Sequence, residues 1–270
     1  MTDNGDILVE HLCKDYILQY NRAMTLKSRF VGIFNRRYRT TKTIFRALDD
    51  INFRIPNGIS LGVMGHNGSG KSTLLKLLAG ILIPTSGKIK VPDDAYIGTM
   101  IQLGVGFSPE LTGLENVYLS ASLYGYQRKE IDKKVEEIIE FAELSSFIDV
   151  PVKNYSSGMQ ARLGFSVMII MDMDILLIDE VFAAGDLSFQ EKSKAKMMEF
   201  KEANKTIVFV SHSAKALDEF CDYVCLLYKG KMVGIGVPKD VNEQYVALTH
   251  KRTTFEEAQT SLAVPEALLV

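Results

Sequence analysis

One short stretch constrains the fold of this chain more than any other. Residues 65–73 read Gly-His-Asn-Gly-Ser-Gly-Lys-Ser-Thr and satisfy the pattern G-x-x-x-x-G-K-[ST]. The apolar run at 59–64 predicts a buried strand before the loop, and residues 72–79 predict a helix after it. Glycines let the backbone N–H groups of such a loop converge on phosphate oxygens, and the helix N-terminus adds the positive end of its dipole. The stretch therefore predicts a nucleotide phosphate-binding loop.

Individual residues of the loop have distinct expected roles. The ammonium group of Lys71 is expected to reach the β- and γ-phosphates of a nucleotide, and the hydroxyl of Ser72 to ligate Mg²⁺. The residues expected to contact the nucleotide here are Gly65, His66, Asn67, Gly68, Ser69, Gly70, Lys71, Ser72 and Thr73. A chance match to the pattern is the alternative, and the strand and helix on either side of the loop argue against it.

Composition narrows the class of protein. The 270 residues suffice for one large domain or two modest ones, each with ample core. A formal net charge of −2 gives no overall basic field, so nucleic acid is not an expected partner. The most apolar stretch, at 165–178, is interrupted by aspartates and is too short to cross a bilayer. No secretory signal opens the sequence, and Cys13, Cys221 and Cys225 lack zinc-site spacing, so we expect reduced, buried thiols in a cytoplasmic protein.

Strand and helix patterns alternate along the chain. Strands are predicted at residues 7–16, 47–55, 88–91, 174–178, 206–211, 223–228 and 231–235. Helices are predicted at residues 115–124, 128–142, 156–171 and 188–203, the last capped by Ser188, and from Pro238 onward. Such alternation around a phosphate loop predicts an α/β fold with a parallel-sheet core.

Residues 22–46 differ from their flanks. They contain eight lysines and arginines and no acidic residue, with aromatic and aliphatic side chains interleaved at Phe30, Val31, Ile33, Phe34 and Tyr38. A solvated loop is one interpretation. The other, which the composition favours, is a basic, partly helical element that lies against anionic lipid headgroups or a membrane partner.

Two predicted strand ends carry candidate catalytic residues. The strand at 174–178 is followed by Asp179, expected to hold Mg²⁺ through water, and Glu180, expected to orient or deprotonate the attacking water. His212 follows the strand at 206–211, where it is positioned to hydrogen-bond a γ-phosphate. Surface carboxylates and a structural histidine are the respective alternatives.

Two further segments complete the set of candidate site residues. Ser156, Ser157 and Gly158 open a helix whose free N-terminal amides offer a second anion site. An ordinary serine helix cap is the alternative for this segment. Gln102 follows a strand-like segment and is expected to sense the metal ion and the γ-phosphate, so the expected metal-associated residues are Ser72, Gln102 and Asp179.

Together these motifs resemble the ATP-binding subunits of ABC transporters over about residues 7–248. Residues 155–159 (Tyr-Ser-Ser-Gly-Met) stand at the signature loop of that family, 184–186 (Ala-Gly-Asp) at its D-loop, and 211–212 at its switch histidine. The second signature glycine is missing, and Gln102 lies one residue farther from the segment at 111–112 than in generic members.

The resemblance implies the fold of an ABC-type P-loop ATPase. This fold has a RecA-like parallel-sheet core, an N-terminal antiparallel β subdomain and a helical signature subdomain, here expected at about residues 102–171. The ATPase domain is expected at 1–248, with the basic insertion at 22–46. Residues 249–270 are expected to form a loose or docked helical tail and no separate carbohydrate-binding domain. Tyr16 matches the aromatic residue that stacks on adenine in the family, with Tyr20 as a substitute.

The resemblance also implies an activity and partners. ATP hydrolysis with Mg²⁺ is expected in a head-to-tail homodimer that sandwiches two ATP molecules, the signature loop of each chain facing the phosphate loop of the other. Such a dimer drives a separate integral membrane permease, with two copies expected, at the cytoplasmic face of the inner or plasma membrane. A non-catalytic nucleotide switch is a rival, and the intact set of candidate catalytic residues argues against it.

Within the family, the chain looks most like the branch that exports lipid-linked polysaccharides. The sequence motifs at 155–159, 185–186 and 104–113 are characteristic of that branch, as is the basic segment before Ala47. O-antigen exporters look closest, with teichoic acid and capsular polysaccharide exporters next. A soluble ABC ATPase outside transport is a less favoured alternative.

Overall fold

The computed structural model describes residues 5–20, 41–100, 106–179 and 186–270. The strands are β1 (Ile7–Tyr20), β2 (Thr41–Ile55), β3 (Ser60–Met64), β4 (Ser86–Lys90), β5 (Ile97–Met100), β6 (Ile175–Ile178), β7 (Thr206–Val210), β8 (Tyr223–Tyr228) and β9 (Lys231–Gly236). The α-helices are α1 (Lys71–Leu78), α2 (Gly113–Leu123), α3 (Arg128–Ile131), α4 (Val135–Ala142), α5 (Ser157–Ile170), α6 (Leu187–Glu202), α7 (Ala214–Phe220), α8 (Pro238–Thr249) and α9 (Phe255–Ser261). Single 3₁₀ turns lie at Val152–Asn154 and Glu266–Leu268.

The larger sheet has six strands in the order β5-β6-β7-β3-β8-β9. Neighbouring strands are parallel except β8 and β9, which pair antiparallel. Every residue of β3, β6 and β7 is buried, because structure covers both faces of these central strands. The predicted α/β fold with a parallel-sheet core is confirmed.

Two hydrophobic cores lie on the two faces of the larger sheet. Along β6, Ile175 and Leu177 belong to one core, and the alternate residues Leu176 and Ile178 belong to the other. The first core also contains α1 and the inner face of the smaller sheet, which has the strand order β2-β1-β4 and is antiparallel throughout. The second core contains buried residues of α2, α4, α5 and α6. The phosphate-loop helix and the signature helix thus pack on opposite faces of one sheet.

The β1–β2 hairpin is longer than predicted. Its register runs from Ile7 opposite Ile55 to Tyr20 opposite Thr41, so β2 begins at Thr41 rather than at Ala47. Residues 41–46 of the basic segment are therefore strand, and residues 21–40 lie outside the described ranges. The polar-apolar alternation that marks a half-buried strand is lost in this part of β2, which is why the sequence did not reveal it.

Arg46, in the basic segment, is hydrogen-bonded within the hairpin. Its guanidinium donates to both carboxylate oxygens of Asp15, at 2.8 and 3.2 Å, and to Asp49 at 2.9 Å. These hydrogen bonds from Arg46 lower the pKa of Asp15 and raise that of the guanidinium. This arginine therefore ties β1 to β2 within the hairpin and is paired within the chain.

Two helix predictions need correction. The helix predicted at 128–142 is two helices, because the N–H groups of Lys133 and Lys134 bond to carbonyls three residues back, which tightens the backbone between α3 and α4. The cap of α6 is Asp186, not Ser188: an Asp186 carboxylate oxygen accepts the N–H of Phe189 at 2.9 Å. An aspartate in extended conformation at this position satisfies a helix N-terminus.

The C-terminal tail is docked. Ala258 of α9 and Leu262 are buried against the second core, and Leu268 is buried in the first. None of the helices in the described ranges combines the length and the apolar character needed to cross a bilayer. Burial raises the pKa of the Cys221 and Cys225 thiols to about 12, whereas Cys13 is only half-buried, so the prediction of burial is wrong for that residue.

Candidate nucleotide-binding site

The phosphate loop links the end of β3 to the start of α1 and fits closely against the end of β8. Gly65 has a φ of +154°, and a Cβ on it would lie 2.2 Å from the carbonyl oxygen of Leu227. Gly68 has a φ of +80°, and a Cβ placed on it would have no atom of the described residues within 4 Å. The loop is therefore packed tightly at its first glycine and open at its second.

The loop carries a buried cation. Lys71 is 7% exposed, and its Nζ donates to the carbonyl oxygens of Gly65 at 2.7 Å and of His66 at 3.1 Å. Gly70 precedes α1 and provides no side-chain cap, and the first turn of α1 has no acidic residue. A buried ammonium group beside an uncapped helix N-terminus suits the phosphates of a nucleotide.

A serine hydroxyl and a carboxylate from distant parts of the chain meet beside the loop. The Oγ of Ser72 donates to Oδ2 of Asp179 at 3.3 Å. Asp179 directly follows β6, and its N–H donates to the carbonyl of Met100 at 3.0 Å, which extends the pairing with β5. Hydroxyl and carboxylate oxygens are the ligands that Mg²⁺ prefers, so this pair fits the expected ion.

His212, the expected switch histidine, lies at the edge of the sheet where the phosphate loop begins. His212 is exposed and follows β7, whose neighbours are β6 and β3. The N–H of Ser211 donates to the carbonyl oxygen of Val63 in β3 at 3.4 Å. Because parallel strands end at one edge, the loop after β3, Asp179 after β6 and His212 after β7 emerge together.

Several predicted residues lie outside the described ranges. Glu180, Gln102 and the D-loop residues Ala184 and Gly185 fall in the segments 101–105 and 180–185. Their expected roles stay predictions.

Ser156, Ser157 and Gly158 lie at the start of α5. The Oγ of Ser156 accepts the N–H of Met159 at 3.2 Å, so the serine-cap interpretation holds for this residue. Ser157 is exposed, and the nearest side-chain atom to a Cβ placed on Gly158 is Ser156 Oγ at 3.8 Å. The helix start therefore presents Ser157 and Gly158 to the surface, where a second molecule has access.

Tyr16 lies on β1, in the hairpin whose β2 strand contacts the phosphate loop. It pairs with Phe45, and the Nζ of Lys14 lies 5.5 Å from the centroid of its ring. Lys14 pairs with Leu48, whose Cδ2 lies 2.5 Å from a Cβ placed on Gly70. A register shift separates the Lys14–Leu48 pair from the Tyr16–Phe45 pair. The stacking of Tyr16 on adenine stays a prediction.

Tyr20, the alternative to Tyr16, pairs with Thr41 at the far end of the hairpin. Four residues of strand place it roughly 13 Å beyond Tyr16. Which of the two tyrosines stacks on adenine stays a prediction, with Tyr16 as the first choice and Tyr20 as its substitute.

Sequence reasoning missed Arg162, which joins three helices. Its Nε donates to the carbonyl of Ala142 at 3.0 Å, its Nη1 to Asp186 at 3.2 Å, and its Nη2 to the carboxylate of Glu143. Its guanidinium also lies 5.1 Å from the ring centroid of Phe189. Arg162 thus ties the signature helix α5 to the cap of α6. A basic residue within an otherwise apolar helix was the available signal.

Asn116 was also missed, although it holds the loop at 108–112. It is fully buried, and its Nδ2 donates to the carbonyls of Ser108, Leu111 and Thr112 at 3.0, 3.1 and 2.9 Å. Its Oδ1 accepts the N–H of Ser108 at 2.7 Å. One amide therefore fixes the loop before α2.

Comparisons with known proteins agree with this geometry. The family model described as ABC transporter matches residues 48–183. The chain is 42% identical over 245 residues to the O-antigen export system ATP-binding protein RfbB of Myxococcus xanthus, covering 90% of this chain and 55% of that protein. It is 41% identical over 248 residues to the teichoic acids export ATP-binding protein TagH of Enterococcus faecalis, covering 92% and 54%. This chain spans about half the length of these two relatives.

A shorter relative is matched over nearly its whole length. The chain is 40% identical over 238 residues to an O-antigen export system ATP-binding protein RfbB of Klebsiella pneumoniae, covering 87% of this chain and 95% of that protein. A solved ATP-binding subunit of an ABC transporter superposes with a TM-score of 0.69 at 19% identity, covering 94% and 98%. A dimeric ATP-binding cassette bound to ADP and Pi superposes with a TM-score of 0.66 at 24% identity, covering 86% and 98%. These two structures have the same fold as this chain.

Proposed function

The chain belongs to the ABC transporter family, and from that membership we propose that it binds and hydrolyses ATP to power export of a lipid-linked polysaccharide. The observation that carries ATP hydrolysis is the meeting of Ser72 and Asp179 at 3.3 Å beside the phosphate loop. A loop that only recognised an anion would need no carboxylate there, because a negative charge opposes phosphate binding unless a cation lies between.

The residues of the site divide the work of phosphoryl transfer. Lys71 holds the β- and γ-phosphates, and Ser72 and Asp179 hold Mg²⁺. When bound, Mg²⁺ supplies positive charge that offsets the negative charge developing on the phosphoryl oxygens. Glu180 orients or deprotonates the attacking water, and His212 donates to the γ-phosphate. Gln102 senses the metal ion and the γ-phosphate from the start of the helical subdomain.

The proposed assembly is a head-to-tail homodimer. Ser157 and Gly158 present a helix N-terminus to the surface, and the γ-phosphate bound by one chain would bridge this N-terminus and the phosphate loop of the partner. Hydrolysis removes the bridging charge, so nucleotide state controls whether the dimer is closed. Two permease subunits would receive this motion at the cytoplasmic face of the inner or plasma membrane.

The proposed cargo is O-antigen, with teichoic acid or capsular polysaccharide as the alternative. Relatives at about 40% identity are named for O-antigen export and for teichoic acid export. The sequence at 21–40 adds positive charge suited to anionic headgroups or to the membrane partner.

Turnover of Mg·ATP by the purified protein tests the catalytic part, with Lys71→Ala and Asp179→Asn as matched inactive variants. We expect phosphate release by the wild type only. Export is tested by supplying the gene to strains that lack the ATPase subunit of an O-antigen or a teichoic acid exporter, together with its own permease. Surface glycan should return in one strain. Turnover equal in wild type and both variants would contradict the catalytic assignment, and turnover without surface glycan in either strain would contradict the cargo.

A further inference from the structure

The turn between β8 and β9 is bonded to the phosphate loop through the backbone. The N–H of Gly230 donates to the carbonyl of Ser69 at 3.0 Å. Three residues earlier, near the end of β8, the carbonyl oxygen of Leu227 blocks the space beside Gly65. The loop and this turn therefore cannot shift independently.

A chain of three aromatic rings connects the same loop to the C-terminal tail. The rings of His66 and Tyr228 are nearly perpendicular, at 89°, with centroids 5.2 Å apart. The ring of Tyr228 also lies 6.4 Å from that of Phe255, at an angle of 29°. Both separations fall within the favourable range for aromatic pairs. Tyr228 thus packs between a residue of the phosphate loop and the first residue of α9.

The tail holds Phe255 in place. A reciprocal cap fixes the first turn of α9: the Oγ1 of Thr254 accepts the N–H of Glu257 at 3.2 Å, and Glu257 accepts the N–H of Thr254 at 2.8 Å. Ala258, one turn farther on, is fully buried. Phe255 is therefore presented to Tyr228 from an anchored helix start.

The ring of His66 bears directly on the backbone that Lys71 uses. The Nδ1 of His66 bonds to the carbonyl of Asn67 at 2.7 Å, and the Nζ of Lys71 donates to the carbonyl of His66 at 3.1 Å. An imidazole held against Tyr228 thus fixes the peptide groups around Asn67. Changes in that contact are transmitted to the position of the Lys71 ammonium.

We propose that Phe255 is a positioning residue for the phosphate loop, acting through Tyr228 and His66, so that the C-terminal tail sets nucleotide affinity. This inference rests on the proposed function, since it takes residues 65–73 as the ATP site. A tail that moved, on binding the membrane partner for example, would change the affinity for ATP without touching the nucleotide.

The test is calorimetric titration of the full chain with a non-hydrolysable ATP analogue and Mg²⁺. Phe255→Ala is expected to raise the Kd about threefold to tenfold, the range for loss of one aromatic pair. Phe255→Tyr keeps a ring in place and should bind within twofold of the wild type. Leu269→Ala, which truncates an exposed apolar residue of the same tail, serves as the matched control. Thermal denaturation of each variant identifies any that is not folded at the titration temperature.

A double-mutant cycle separates positioning from general loosening of the tail. In a His66→Ala background the ring chain is already broken, so Phe255→Ala should change the Kd no further. Equal affinity of Phe255→Ala and wild type, or the full loss persisting in the His66→Ala background, would overturn the inference while leaving ATP binding intact. No saturable binding by the wild type would overturn the proposed function, and this inference with it.

Discussion

At the scale of single residues, the phosphate loop depends on one glycine more than on the others. The Leu227 carbonyl and the Ser69 hydroxyl, at 2.2 and 2.5 Å from a Cβ on Gly65, belong to the backbone of β8 and to the loop itself. The Leu227 carbonyl cannot move without cost, because pairing within the sheet fixes a main-chain carbonyl. Any side chain at Gly65 must therefore displace the loop or the strand.

Substitution of two glycines in this loop tests that dependence. Gly65→Ala should abolish nucleotide binding and lower the free energy of unfolding by more than about 2 kcal/mol, since it adds a clash to an unfavourable φ. Gly68→Ala is the matched control, because it carries only the conformational cost of roughly 1–2 kcal/mol in open space. Urea unfolding and titration with ATP measure both. A Gly65→Ala protein as stable and as competent as Gly68→Ala would contradict the described fit.

At the scale of elements, the strands and helices that could be predicted are those marked by a local pattern of apolar residues. The apolar runs of β6 and β7 and the loop between β3 and α1 are local patterns, and they were predicted correctly. The outer part of β2 was missed because its side chains there are exposed, including Ile44 at 71%, so no buried face imposes a period.

Contacts between distant segments were beyond the same reasoning. Arg162 meets Asp186, and Tyr228 meets His66, only because helices and strands far apart in sequence are packed together. A local pattern identifies Asp179 and Ser72 as candidates but not their 3.3 Å contact. Local patterns therefore yield the candidates for the chemistry, whereas the residues that position Ser72, Asp179 and α5 emerge only from the fold.

Arg162 provides a stability prediction for the joint between α5 and α6. Its side chain is 16% exposed. Arg162→Ala removes its hydrogen bonds to one carbonyl and two carboxylates, so we expect the free energy of unfolding to fall by about 2–3 kcal/mol. Arg162→Lys keeps the charge but not the planar fork and should recover only part of the loss. Lys129→Ala, at an exposed position of α3, is the control and should change stability by about 0.5 kcal/mol or less. A urea midpoint for Arg162→Ala equal to that of the control would contradict the role of this arginine.

The start of α5 provides a prediction about the partner chain. Ser157→Arg should leave nucleotide binding by the monomer unchanged while abolishing turnover, because Ser157 is exposed and lies on the opposite face of the sheet core from α1. Mixing it with Lys71→Ala protein creates dimers in which one of the two sites has an intact loop and an intact signature. Turnover should then be partly restored.

The mixture is informative only if mixed dimers form, so the two variants carry different affinity tags for co-purification. Mixed dimers that remain inactive would argue against composite sites.

At the scale of the whole molecule, the chain presents one phosphate loop and one signature helix on opposite faces of a single sheet. This placement is compatible with the proposed head-to-tail dimer, in which the signature helix of each chain completes the nucleotide site of the other. In that proposal, the basic sequence at 21–40 and the membrane partner act on the dimer rather than on the nucleotide.

Neutralising the basic segment tests this external role. Replacing Arg36, Arg37 and Arg39 by glutamine should weaken binding to anionic phospholipid vesicles and impair export, since each charge near such a surface contributes about 1 kcal/mol. The ATPase activity of the purified protein should stay near the wild-type rate. Vesicle binding and export at wild-type levels would favour the solvated-loop interpretation instead.

ATP-dependent dimerisation of the Glu180→Gln variant tests the central claim most directly. Glu180 follows Asp179 directly in sequence and is assigned to the attacking water, whose loss of activation costs on the order of 10²–10⁴ in rate. The variant should bind Mg·ATP, hydrolyse almost none of it and elute as a dimer from gel filtration in saturating Mg·ATP. It should elute as a monomer with Mg·ADP. Wild-type turnover by the variant, or a monomer at saturating Mg·ATP, would contradict the account.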